Sequence, residues 1–153
     1  MRQMCAKYAL RPASFNPSIG PGTCIGEGRT TFDEFIAQLV DNGNAPKWRF
    51  SRDRFGLGAG GSLSIVNEGG EFHTFTEVAA FGGGCISVLN DILGLTPVPE
   101  CQPEVAPGVP AAFVTTGVAP GATRELDGLS PGMHRFQCLI HPWMHSTAVV
   151  RDD

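Results

Sequence analysis

Residues Phe136–His145 read Phe-Gln-Cys-Leu-Ile-His-Pro-Trp-Met-His, and this stretch places three metal donors close together. Cys138, His141 and Met144 stand at intervals of three residues, so a thiolate, an imidazole and a thioether share one short loop. One cysteine, two histidines and a weak, long methionine bond are the ligands of a trigonal copper site that transfers electrons. The loop lacks the second histidine, which must therefore come from elsewhere in the chain.

We predict that the second imidazole belongs to His73. Residues 71–76 are predicted to form a strand, in which His73 and Phe75 share a face opposite Phe72 and Thr74. A histidine on an apolar face is more often a hydrogen-bonded core residue than a ligand, but the incomplete donor set of the downstream loop favours ligation. The predicted ligands of one copper ion, cycling between Cu(I) and Cu(II), are His73, Cys138, His141 and Met144.

The composition indicates the general class of protein. A chain of 153 residues is long enough for a single domain with a real core, and its 20 Gly and 12 Pro favour strands and turns. A net charge of -4 argues against a nucleic-acid partner. No apolar run reaches the roughly 20 residues that a membrane span requires.

The cysteines other than Cys138 favour an oxidising compartment. Of the three possible connectivities, we favour the disulfides Cys5–Cys24 and Cys85–Cys101, because each would close a segment rich in Gly and Pro. Four reduced cysteines in a cytosolic protein are the alternative. The first residues lack the apolar core of a signal peptide, which fits either a cytosolic protein or one whose leader has been removed. Because disulfides imply an oxidising compartment, we expect a periplasmic or secreted protein whose export signal has been removed.

The N-terminal part of the sequence predicts an arm followed by a helix. Residues 1–29 show no periodicity and are expected to be extended. Thr31 can cap a helix while Glu34 returns the bond, and apolar residues then repeat at helical spacing until Asn42-Gly43. We expect this helix to lie over one end of a sheet core.

Strands are expected from Lys47 onward. Residues 47–51 alternate between polar and aromatic side chains, as a half-buried strand does. Gly56, Gly58 and Gly61 match a dinucleotide-binding fingerprint, but a strand pattern follows where that fingerprint requires a helix. They are therefore predicted to form a flexible turn. Further strands are expected at residues 62–67, 111–116, 122–129 and 146–150.

Taken together, His73 and the loop Cys138-Leu-Ile-His141-Pro-Trp-Met144 resemble the ligand pattern of the cupredoxins, small blue-copper electron carriers. The loop spacing is most similar to that of amicyanins, and the strand leading to Cys138 resembles that of plastocyanins. The resemblance implies an all-β Greek-key β-sandwich, to which this sequence adds one N-terminal helix and, as a departure from the family pattern, a long disulfide-pinned insertion. As a single domain of residues 1–153, it would comprise an arm plus helix (1–46) and the sandwich (47–153), with the insertion at 78–110.

The sequence departs from the cupredoxin pattern at Thr74, where the family commonly has an Asn that ties the two ligand segments together. We expect the shorter Thr74 hydroxyl to reach less far and its backbone N–H to bond the Cys138 sulfur. His134 is expected to be structural. The insertion is expected either to form a wall of the site or a docking surface for a partner, or to be a disulfide-pinned loop with no such role.

The resemblance implies a protein that carries single electrons and is not an enzyme. Redox partners would dock weakly on an apolar surface around His141, Pro142 and Trp143, although core packing of Trp143 is an equal alternative. We expect a monomer without nucleic-acid or membrane partners. A copper carrier or chaperone, which delivers copper to another protein, is the alternative function.

Overall fold

The computed structural model of the protein describes residues 11–152. Its helices are α1 (Pro12–Ile19), α2 (Phe32–Asn42), α3 (Ser87–Leu93) and α4 (Ala111–Thr115), with a 3-10 turn at Pro99–Cys101. Its strands are β1 (Arg54–Gly58), β2 (Leu63–Val66), β3 (His73–Thr74), β4 (Thr76–Val78), β5 (Glu104–Ala106), β6 (Val109–Pro110), β7 (Gly117–Val118), β8 (Thr123–Leu126), β9 (Gly132–Gln137) and β10 (His145–Arg151). None of the helices described here has the length and apolar composition needed to cross a bilayer.

The largest sheet has the strand order β1-β10-β9-β4. Strands β1 and β10 run parallel, whereas β10, β9 and β4 pair antiparallel. The pairs β2–β8 and β3–β7 contribute to the same core as this sheet. That core contains Phe55, Phe136 and Ala148 from the sheet and Leu63, Ile65 and Val118 from the pairs. The predicted all-β sandwich is thus confirmed.

Helix α2 forms where the sequence predicts it. The backbone N–H of Thr31 donates to the Glu34 carboxylate (2.8 Å), and the backbone N–H of Glu34 donates to the Thr31 hydroxyl (3.2 Å). The helix ends at Gly43, which adopts the left-handed conformation with φ of 69°. Phe35 and Leu39 are buried and attach the helix to the core.

The prediction of a single N-terminal helix is wrong, because α1 lies within the segment expected to be extended. Pro12 stands in the first turn, where its fixed φ suits a helix and its missing N–H costs nothing. Phe15 is 1% exposed and packs edge-on against Phe32, with ring centroids 5.4 Å apart. A helix with one buried side chain leaves no apolar repeat in the sequence, and Pro17 inside it disguises it further.

The first predicted strand is also displaced along the chain. Residues 47–51 form turns and bends, although Trp48 and Phe50 are buried as expected. Strand β1 instead includes Gly56 and Gly58, which were expected in a flexible turn. Pairing with β10 depends on backbone groups, so glycines can join the ladder without contributing side chains.

Residues 111–116 were predicted as a strand, but most of them form the short helix α4. Pro110 precedes the helix, and the hydroxyl of Thr116 donates to the carbonyl of Ala112 (2.6 Å). The hydroxyl of Thr115 donates in the same way to Ala111 (3.2 Å). These local bonds give the carbonyl groups of the short helix hydrogen-bond partners. The high β-propensity of the segment does not reveal that such bonds can form.

The insertion at residues 78–110 is an ordered unit with α3, the 3-10 turn and the β5–β6 hairpin. The Cys85–Cys101 disulfide forms within it, which confirms that prediction. Cys5 lies outside the described residues, and Cys24 is buried without a disulfide partner among residues 11–152. The Cys5–Cys24 pairing therefore stays a prediction.

Candidate metal centre

Three elements bring the candidate donors together. His73 begins β3, Cys138 directly follows β9, and Met144 directly precedes β10. The loop that carries His141 therefore joins two antiparallel neighbours of one sheet. The backbone N–H of Cys138 donates to the carbonyl of Met144 (3.1 Å), and the N–H of Met144 donates to that of His141 (2.9 Å). These bonds fix the loop from both ends.

The donor atoms converge on one point. The Cys138 sulfur lies 3.8 Å from Nδ1 of His73 and 3.8 Å from Nδ1 of His141. The two Nδ1 atoms lie 3.2 Å apart. His73 is 3% exposed, Cys138 0%, His141 4% and Met144 1%, so the group is closed to bulk water. Two segments separated by 65 residues thus meet as the sequence predicts.

These donors fit a metal ion of the copper type. Metal bonds of about 2.0–2.1 Å to nitrogen and 2.3 Å to sulfur, at trigonal angles, place a nitrogen and a sulfur about 3.8 Å apart. Two imidazole lone pairs facing each other across a buried gap repel unless a cation lies between them. Thiolate and imidazole are ligands that copper accepts readily, and the Met144 thioether is buried in the same core. The group can therefore hold one copper ion.

Thr74 ties the two ligand segments together with its hydroxyl as well as its main chain, whereas this role was expected to shift from the side chain to the main chain. Its Oγ1 accepts a hydrogen bond from the backbone N–H of Leu139 (2.8 Å). Its backbone N–H points at the Cys138 sulfur (3.5 Å), as expected. The N–H of His141 approaches the same sulfur at 3.5 Å. A hydroxyl suffices because the two segments lie close enough for one bond to join them.

The electrostatics of the site favour a thiolate. Burial raises the pKa of the Cys138 thiol, but hydrogen bonds and positive charge from His141 and His73 outweigh burial and bring this pKa well below its ordinary value. Burial lowers the pKa of His141, whereas its contacts with Cys138 and Glu71 raise that pKa to about 9. The metal-free pocket thus favours positive charge beside the sulfur, which is the charge that a bound cation would supply.

Glu71 is a buried residue in contact with His141 that the sequence reasoning missed. Its Oε2 atom accepts a hydrogen bond from Nε1 of Trp48 (2.9 Å) and lies 3.1 Å from Nε2 of His141. Glu71 as a whole is 6% exposed. Glu71 lies two residues before His73, in the bend that precedes β3.

The surface around His141 is covered, so the predicted docking surface at His141, Pro142 and Trp143 is wrong as an exposed patch. Pro142 is buried, and Nε1 of Trp143 donates to the carbonyl of Trp48 (3.0 Å). The Phe35 ring from α2 lies edge-on to the His141 ring, with centroids 6.4 Å apart. The cause is the N-terminal helical segment, whose aromatic side chains cover the ligand loop.

An apolar cleft of about 410 Å³ remains beside His141. It lies between α1, α2 and α3. Its lining consists mainly of aromatic and branched aliphatic side chains, and it reaches Ile140, His141 and Glu71. Val88 stands in its lining and is 58% exposed.

The insertion forms another wall of the site. The backbone N–H of Cys85 donates to the carbonyl of Leu139 (2.6 Å). A Cβ atom at Gly84 would overlap that same carbonyl, so this close approach requires glycine. Gln137, which is fully buried, exchanges hydrogen bonds of 3.0 Å with the backbone N–H and carbonyl of Gly82. The insertion therefore packs against both ends of the Gln137–Leu139 segment.

The other histidines of the chain lie outside the donor group. His134 contacts Glu77 (2.6 Å) and the carbonyl of Ser130 (2.7 Å), as expected for a structural residue. His145 stacks on Phe81, with ring centroids 4.1 Å apart. Within residues 11–152, His73, Cys138 and His141 are the histidine, cysteine and carboxylate side chains that group closely enough to hold a metal ion.

The class of protein that fold and site define is a β-sandwich with a buried centre of one cysteine and two histidines. No protein-family model and no curated protein matches the chain. Among solved structures it is similar to a purple cupredoxin from Nitrosopumilus maritimus, with 14% identity, a TM-score of 0.45, and coverage of 73% of this chain and 90% of that chain. It is also similar to two reduced amicyanin variants. One was solved in the Cu(I) form at pH 4, with 15% identity, a TM-score of 0.42, and coverage of 71% of this chain and 77% of that chain. The other has 15% identity, a TM-score of 0.43, and coverage of 71% of this chain and 78% of that chain. The resemblance to cupredoxins stated from the sequence is found again among these structures.

Proposed function

We propose that the chain binds one copper ion through His73, Cys138, His141 and Met144 and carries single electrons between redox partners, without being an enzyme. The observation that carries this proposal is the convergence of one sulfur and two Nδ1 atoms within 3.8 Å of one another in a closed pocket. A bound copper ion would supply one-electron chemistry between Cu(II) and Cu(I). The residues around it hold the donors in place, so that little ligand motion accompanies the change of charge.

Rigidity of the donors has identifiable sources. Thr74 bonds one ligand segment to the other, and the Cys85 N–H fixes the carbonyl of Leu139. Both bonds lie in a buried, closely packed region, where side chains have few alternative positions. The same closure argues against the alternative of a copper carrier or chaperone, because delivery to an acceptor needs an accessible ion.

Spectroscopy of the Cu(II) form tests the proposal. We expect an intense thiolate-to-copper charge-transfer band and narrow copper hyperfine splitting, both lost in Cys138→Ser. Weak ligand-field bands or a colourless oxidised protein would contradict a copper electron carrier. Rapid copper transfer to an apo-acceptor, together with slow electron self-exchange, would favour the chaperone.

The remaining parts of the proposal concern partners and location. We propose a monomer of a single domain (1–153) in the periplasm or outside the cell, supported by the Cys85–Cys101 disulfide. Because Pro142 is buried and Trp143 is bonded to the backbone of Trp48, we propose that electrons enter and leave through the apolar cleft beside Ile140 and His141. A second copy of the chain can dock there weakly during self-exchange.

A further inference from the structure

Glu71 is a buried carboxylate that contacts a candidate metal ligand. One of its oxygen atoms, Oε2, lies 3.1 Å from Nε2 of His141 and accepts a hydrogen bond from Nε1 of Trp48. Burial of a charged group is costly unless the group is paired and hydrogen-bonded. The buried carboxylate therefore needs both hydrogen-bond partners to offset its desolvation. A protein that bears this desolvation cost beside a candidate ligand points to a role for the carboxylate at the site.

The turn that carries Glu71 is held in a fixed position. Nδ2 of Asn67 donates to the carbonyl of Glu71 (2.7 Å) and to that of Val118 (2.8 Å). Oδ1 of Asn67 accepts from the backbone N–H of Gly69 (2.9 Å). Asn67 is 1% exposed, so these bonds compete with little water. The backbone beside Glu71 is thus fixed independently of any metal.

The contact with Glu71 determines how His141 can act. A neutral imidazole has one N–H, and a carboxylate at Nε2 requires that this nitrogen carry the proton. Nδ1 then presents its lone pair toward the Cys138 sulfur, 3.8 Å away. A carboxylate partner of this kind orients a ligating histidine and increases its basicity.

Glu71 also contributes negative charge close to the donors. Negative charge stabilises the more highly charged oxidation state of a nearby metal, and a buried site screens that effect weakly. The shared Oε2 atom allows a glutamine to accept both bonds with its amide oxygen while removing the charge. Orientation and charge can therefore be separated by substitution.

We propose that Glu71 is a positioning residue for His141, which fixes its tautomer through Nε2 and adds a negative charge that favours Cu(II) over Cu(I). This inference rests on the proposed function, because it assumes that His141 binds copper. The relative affinity of the site for Cu(II) and Cu(I) then depends in part on Glu71, a residue outside the ligand set.

Two variants of Glu71 test the inference in the full chain loaded with copper. Glu71→Gln keeps the hydrogen bonds but removes the charge, so we expect near wild-type Cu(I) binding and roughly tenfold weaker Cu(II) binding, which is a tenfold lower ratio of Cu(II) to Cu(I) affinity. A tenfold change is a positive shift of about 59 mV for a one-electron couple. Glu71→Leu removes both functions and should weaken Cu(II) binding roughly 10- to 100-fold. The exposed Glu125 provides the control Glu125→Gln, which should leave both quantities unchanged.

A zinc-loaded protein separates this inference from the proposed function. In the diamagnetic zinc form we expect a slowly exchanging Nε2–H signal of His141 in the wild type and in Glu71→Gln, but not in Glu71→Leu. A wild-type protein with this signal but no blue Cu(II) form would retain the role of Glu71 and overturn the copper function. Unchanged affinity, potential and N–H exchange in both Glu71 variants would overturn the inference itself.

Discussion

The hydroxyl of Thr74 accepts a hydrogen bond of 2.8 Å from the backbone N–H of Leu139, 65 residues further along the chain. Both residues are fully buried, so no water can replace this bond. Thr74→Val should therefore lower the free energy of unfolding of the metal-free protein by about 1–3 kcal/mol, because it leaves a buried N–H without a partner. Urea unfolding measures this loss.

Thr74→Ser is the matched control, since it retains the hydroxyl and should recover most of the stability lost in Thr74→Val. Equal stability of Thr74→Val and the wild type would show that the bond contributes nothing.

The disulfide in the insertion gives a second prediction. Cys85 and Cys101 are separated by 16 residues, and a loop of about that length gains roughly 3 kcal/mol in the chain-entropy model. The double variant Cys85→Ser with Cys101→Ser should lose about that much stability in denaturant unfolding. A reducing agent should lower the unfolding midpoint of the wild type more than that of the double variant. An unchanged midpoint in the wild type would contradict the prediction.

A pH-dependent contribution is expected from His134 and Glu77. The carbonyl of Ser130 and the carboxylate of Glu77 raise the pKa of His134 above its ordinary value. The protonated form is thus stabilised by folding, and this stability is fully present below the unfolded-state pKa of about 6.5 and lost as pH rises through the folded-state pKa.

Glu77→Gln should therefore cost more stability at about pH 5.5 than at about pH 9. Because the Glu77 side chain is 52% exposed, the difference should be at most about 1 kcal/mol. Urea unfolding at the two pH values measures it, with Glu125→Gln as the control for an exposed carboxylate. A larger loss at the higher pH would reverse the sign and refute the ion pair.

If electrons pass through the apolar cleft, electron exchange should be sensitive to a charge placed in the lining of that cleft. Val88→Glu places a negative charge in the cleft lining and should slow electron self-exchange roughly tenfold at low ionic strength, with a smaller effect at high salt. Val105→Glu changes a residue of similar exposure on β5 and provides the control. NMR line broadening in mixtures of both oxidation states measures the rate. Equal slowing by both variants would indicate net charge and not the cleft.

Met144 is expected to influence the reduction potential. Its soft thioether favours Cu(I), whereas an amide oxygen favours Cu(II), so Met144→Gln should lower the potential. The exposed residue Met133 gives the control Met133→Gln, which should leave the potential unchanged. Cyclic voltammetry measures both. A potential that rises or stays constant in Met144→Gln would remove Met144 from the predicted ligand set.

The convergence of His73, Cys138 and His141 could be predicted because ligand chemistry requires a donor set that no single segment supplies. The Cys85–Cys101 pairing and helix α2 were likewise readable, since cysteine spacing and a capping box are local signals. The position of Met144 in the core agrees with its expected role, although ligation itself stays a prediction.

Other features depend on contacts that leave no local pattern. Helix α1 has one buried side chain, Phe15, and α4 is satisfied by hydroxyl bonds within its own last turn. The cover over His141 and the contact of Glu71 with it arise from residues far away in the sequence. A sequence pattern reports the periodicity of one segment, whereas these features depend on how distant segments pack.

The bond from the Trp143 indole to the carbonyl of Trp48 joins the ligand loop to a segment that the ribosome makes much earlier. The aromatic cover and His73 are therefore synthesised before Cys138 and His141 exist. A nascent chain can display an imidazole but no complete chelate until translation has passed the loop. Under the proposed function, the full donor set can therefore hold copper only after the ligand loop has been made.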